Sequence, residues 1–109
     1  MDIIRLFAIL TIIAGCSAIR DGFVVEATNN FKNGQYIETI ANINKAQATI
    51  HYDDKTQALF LFMKAESYEK LNEPLKALGT YHYLIERYPE SEYAVIAREA
   101  VKKHRDINP

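Results

Sequence analysis

Between residues 55 and 71, Ala58, Leu61, Ala65, Tyr68 and Leu71 recur at spacings of three and four. That period places them on one face of an α-helix. Asp54 is positioned to cap its start, and Asn72 is a residue that tolerates the left-handed conformation at a helix end. Pro74 then suits the first turn of a second helix, which carries Leu75, Leu78, Tyr81, Leu84, Ile85 and Tyr88 and stops before Pro89. Ser91 caps a last helix with Tyr93, Ala94, Ala97 and Val101 on its inner side, and Lys102, Lys103 and Arg105 meet the negative end of its dipole. Upstream, Phe23, Ala27 and Phe31 predict a helix over residues 22–33. Asn33-Gly34 breaks it, and Tyr36, Ile40, Ile43, Ala46 and Ile50 mark another. No run alternates in the period of a strand after Cys16. The expected fold is all-α, with antiparallel helical hairpins and very short joints.

The first sixteen residues follow no such period. Leu6 to Ala14 is an apolar stretch broken only by Thr11, far short of the roughly 20 residues of a membrane-spanning helix. With Arg5 before it and small residues at its end, it has the form of a signal-peptide core. Ile13-Ala14-Gly15-Cys16 resembles the bacterial lipobox, in which an aliphatic and two small residues precede a lipidated Cys. The resemblance implies cleavage before Cys16, acylation of its sulfur and its new amine, and anchorage through several acyl chains, each methylene contributing ~0.8 kcal/mol. In that family an Asp after the Cys retains the protein at the inner membrane. Ser17 stands there instead, which implies the outer membrane, periplasmic face. The expected layout is therefore a cleaved signal over residues 1–15, a lipidated tether over 16–21 and a helical domain over 22–107. The covalent lipid on Cys16 is the only prosthetic group expected.

Composition narrows the functions open to such a domain. Thirteen Lys+Arg against fourteen Asp+Glu, a net charge of -1 and a pI near 6.3 argue against a nucleic-acid groove, which needs several phosphate contacts. Removing residues 1–15 leaves 109 − 15 = 94 residues, enough for a core of modest size, and 49% hydrophobic residues exclude a disordered chain. Seven Tyr and five Phe predict an aromatic-rich core. The single Cys excludes an internal disulfide and a multi-cysteine zinc site.

A 34-residue unit over residues 58–91 carries Ala65, Tyr68, Ala77, Tyr81, Leu84 and Pro89 in the small–aromatic–Ala–aromatic–aliphatic–Pro order of the tetratricopeptide repeat, which it resembles. Residues 20–53 resemble a degenerate earlier unit, with Ala27, the Gly34-Gln35-Tyr36 turn and Ala46 in register, but with Asn30 and Thr39 where Tyr and Ala are expected. The stretch Tyr81–Ala97 is similar to repeats of periplasmic envelope proteins, among them the outer-membrane assembly lipoproteins and the Tol–Pal coordinators. The resemblance implies an α-solenoid of about two units plus a C-terminal capping helix, and a protein–protein adaptor in envelope assembly, secretion or pilus biogenesis.

The chain shows no constellation that predicts catalysis. His51, His82 and His104 fall on separate elements without metal-ligand spacing, and the adjacent Asp53 and Asp54 read as helix caps. Neither a metal nor an enzymatic activity is expected. The 58–63 segment is different, because Leu59, Phe60, Phe62 and Met63 leave its helix apolar nearly all round, so it must be covered on more than one side. In the tetratricopeptide family the first helix of each unit lines a concave groove. By that resemblance Val24, Thr28, Phe31, Leu59, Phe62, Met63 and Glu66 face a partner, an apolar helix or an extended segment. The same surface equally fits core packing, or self-association of a structural envelope lipoprotein as a homo-oligomer.

Overall fold

The computed structural model describes residues 19–107, so Cys16 and the apolar stretch before it lie outside the described residues. All regular structure among those residues is helical: α1 (residues 19–32), α2 (Tyr36–Thr49), α3 (Asp54–Lys70), α4 (Pro74–Arg87) and α5 (Glu92–Ile107). Residues 19–21, expected in the tether, are helical and belong to α1.

The joints are built by local chemistry. At the end of α1, Gly34 sits at φ +75°, the Gln35 N–H donates to the Asn30 carbonyl at 2.8 Å and the Gly34 N–H donates to that of Phe31 at 3.2 Å. At the end of α3, Asn72 sits at φ +59°, and Glu73 and Asn72 donate to the Tyr68 and Glu69 carbonyls at 2.9 and 3.1 Å. Both are Schellman motifs, which satisfy helix-end carbonyls around one left-handed residue. The two left-handed residues are 38 apart in the chain (72 − 34). Pro74 opens α4 at its first position, and the Ser91 hydroxyl accepts from the Tyr93 N–H at 3.1 Å. The cap of α3 is Asp53 rather than Asp54: its carboxylate accepts from the Thr56 N–H at 2.9 Å, and Asp54 forms the first turn.

The same 38-residue interval governs burial. Ala27 and Ala65, Thr39 and Ala77, Ile43 and Tyr81, and Ala46 and Leu84 are all buried. Thr39 fits where its counterpart is Ala because its hydroxyl donates to the Gln35 carbonyl at 2.7 Å, so no polar group is left unpaired in the crossing.

Helix α3 is the centre of the molecule, packed against α2, α4 and α5. Its two apolar sides serve two clusters. Ala58, Leu61 and Ala65 meet Ala77, Tyr81 and Leu84 of α4 and Ala97 of α5, while Phe60 and Met63 meet Ala27, Ile43 and Ala46. Fully burying a side chain such as Phe60 contributes about 1.5–3 kcal/mol. Tyr52, in the joint between α2 and α3, completes the second cluster. It stacks edge-on to Phe60 at 5.0 Å and its hydroxyl donates to the Arg20 carbonyl at 3.2 Å. Burial raises the pKa of that hydroxyl, which therefore stays a donor. Leu75 departs from the expected core, being 84% exposed at the start of α4.

Candidate functional site

A cleft of about 900 Å³ opens between α3 and the C-terminal half of α5. Phe62, Ile96 and Ala100 supply apolar lining, and Glu66, Glu69 and His104 supply polar lining. Phe62 is half-buried and joins three helices: its ring stacks on Tyr93 at 5.3 Å and meets Phe31 edge-on at 6.3 Å. Aromatic pairs of this kind add ~0.5–1.5 kcal/mol beyond area burial. Phe31 in turn meets Tyr36 at 6.1 Å, so an aromatic row runs from the first hairpin to α5.

At the cleft's base, Glu69 gathers two residues distant in sequence. The Tyr81 hydroxyl donates to Glu69 Oε2 at 3.2 Å, and His104 Nε2 lies 3.0 Å from Glu69 Oε1. The Tyr81 pKa is raised, first by burial, then by the Glu69 charge and its hydrogen bond, which keeps the phenol protonated. Glu66 is also raised, by desolvation first and then by Glu69, with Lys70 opposing. His104 therefore clasps α5 to α3. His51 and His82 are exposed, and no group of three metal-ligating side chains occurs among the described residues.

Of the expected groove residues, Phe31, Phe62 and Glu66 come together beside this cleft. Val24 and Leu59 are half-buried against the cluster around Ala27, Ile43 and Phe60. Thr28 is half-buried and its hydroxyl donates to the Val24 carbonyl at 2.7 Å. Met63 requires a correction: at 2% exposure it is a core residue on the α2 side of α3, because its position falls one turn from Phe60 on the face that α2 covers. Cys16 lies outside the described residues. The residues not foreseen are Glu69, Ile96, Ala100 and the hydroxyl of Tyr81. The Glu69–His104 contact spans 35 residues, and no short-range spacing carries it.

Comparison with protein-family models, curated proteins and solved structures finds no match to this chain. Fold and cleft together define an all-α protein of short-jointed helices with an open, part-apolar, part-acidic cleft along its central helix.

Proposed function

We propose that this chain is a tetratricopeptide-like lipoprotein, held at the periplasmic face of the outer membrane through Cys16, which acts as a protein–protein adaptor in envelope assembly, secretion or pilus biogenesis. The observation that carries the reading is the repetition: two helix pairs share one turn geometry and four buried positions at one 38-residue interval. Stacked helical repeats have this property, and two units are fewer than the three usually needed for stability alone. The cleft beside Phe62 supports the adaptor role, since it offers aromatic and aliphatic contact with Glu66 on its polar side. Its preferred occupant is an apolar helix or strand of an envelope protein. The exposed Val95, Ile96 and Ile107 on α5 favour a second reading, in which the occupant is another copy of the chain.

Two measurements test the proposal. Cys16→Ser is expected to abolish incorporation of a fatty-acid analogue and to release the protein from membranes; label retained in the variant overturns the anchor. Phe62→Asp is expected to weaken partner binding by about 2 kcal/mol or more, as for an interface hot spot, with a smaller loss of fold stability. Circular dichroism melts and light scattering on the same full-length variant decide this. Outright unfolding makes Phe62 core and removes the groove, whereas loss of a concentration-dependent oligomer assigns the surface to self-association.

A further inference from the structure

On a different face of the molecule lies a second cleft, about 530 Å³ in volume, formed by α2, α3 and α4. Its α3 wall is the stripe Gln57, Leu61, Lys64 and Tyr68, centred about 130° around the helix from Phe62. Its α4 wall is Lys76, Thr80, Tyr83 and Arg87, at the same four-, seven- and eleven-residue intervals. Three cations line this cleft, and among the described residues that line it none is acidic.

The cations are weakly compensated. Lys64 is half-buried, yet its ammonium donates to a neutral partner, the Asn44 amide oxygen, at 2.8 Å. Burial lowers its pKa, the sign of a charge that has lost water without gaining a carboxylate. Lys76 lies over the Tyr68 ring at 5.8 Å and reaches Glu73 at 3.5 Å on the exposed rim. Arg87 has no carboxylate within ion-pair distance among the described residues.

Gly79 is a second, independent observation. It stands inside α4, where glycine is unfavourable, and a Cβ there would meet nothing within 4 Å. Packing within the chain does not require the glycine. It keeps the cleft wall bare beside Thr80, where a ligand backbone can approach closely.

We propose that this basic, tyrosine-lined cleft binds an extended acidic segment of a partner protein, whose carboxylates pair with Lys76, Lys64 and Arg87 while its backbone passes over Gly79. Lys76 and Arg87 are eleven residues apart on α4, about 16 Å along the helix axis. About five residues of extended peptide at ~3.3 Å each cover that span. A lone phosphate needs convergent cations rather than a row, and the chain's net charge of -1 disfavours a nucleic acid.

The test uses the full chain and a fluorescein-labelled hexapeptide of alternating Asp and Glu, followed by anisotropy at low salt. The unmodified chain is expected to bind it and not an Asn/Gln hexapeptide. Lys64→Gln with Arg87→Gln is expected to weaken binding about tenfold or more, as for lost charge pairs. Gly79→Leu fills the cleft wall while improving helix propensity, so it is expected to abolish binding with an unchanged or raised melting temperature. Lys102→Gln with Lys103→Gln, the same change of charge on α5, is expected to leave binding unaltered. No binding by the unmodified chain, equal weakening by the α5 pair, or full binding by Gly79→Leu overturns the proposal. So does tighter binding of a thymidine hexanucleotide or of anionic phospholipid vesicles than of the peptide.

Discussion

Ala77→Leu tests the register of the whole helical stack. Ala77 is fully buried in α4, in the same cluster as the fully buried Ala58 and Ala65 of α3. Small residues on both sides of a crossing allow the two backbones to approach closely. Leucine adds three carbons. If the site could expand at no cost, their burial would stabilise the fold by about 2.4 kcal/mol at ~0.8 kcal/mol per methylene. The alanines opposite are already at zero exposure, and Leu84 and Tyr81 close the sides, so the added carbons have no vacant volume to occupy. Overpacking of this kind forces off-rotamer side chains and helix displacement, a net cost of about 1–3 kcal/mol. For a domain of this size each kcal/mol lowers the melting temperature by roughly 4–8 °C. Thermal melts followed by circular dichroism are the assay. Leu75→Ala on the same helix is the control, expected within about 0.5 kcal/mol because Leu75 is 84% exposed. An unchanged or raised melting temperature for Ala77→Leu would refute the close crossing and the repeat register with it.

Two further substitutions probe the joints and the cleft. Gly34→Ala is expected to cost roughly 1–2 kcal/mol, because the residue sits at φ +75° while its new Cβ meets only the Tyr36 ring at an ordinary 3.9 Å; a chemical-denaturation midpoint equal to that of the unmodified protein would contradict this. Glu66→Gln is expected to raise the melting temperature at neutral pH. Because the folded chain raises the Glu66 pKa above 4.5, protonation favours the folded state, and that contribution is present below the ordinary value and lost as pH rises through the raised one. The gain from Glu66→Gln should therefore vanish below about pH 4, and a gain independent of pH would contradict the assignment.

The helices, most of their ends and the residue types at the crossings are legible along the chain, although the start of α1 and the cap of α3 are not. These are local matters: a 3.6-residue period, a proline at a first helical position, a serine cap and left-handed residues at Gly34 and Asn72 act over one or two turns. The sequence also required α3 to be covered on two sides, since Phe60, Met63, Leu61 and Ala65 cannot all face one neighbour. Which neighbour covers which side is set by the packing of the assembled helices. Met63 went to the core under α2, and Phe62 stayed half-open between Phe31 and Tyr93. Both are apolar residues of one helix, and one position of rotation separates them. Tyr52 stands in a joint where no period assigns it a face, and the folded chain sets it edge-on to Phe60. The Glu69–Tyr81–His104 contacts and the row of Lys76, Lys64 and Arg87 assemble side chains from separate helices. Such juxtapositions depend on crossing angle and register, which packing fixes and which no single helix's periodicity encodes.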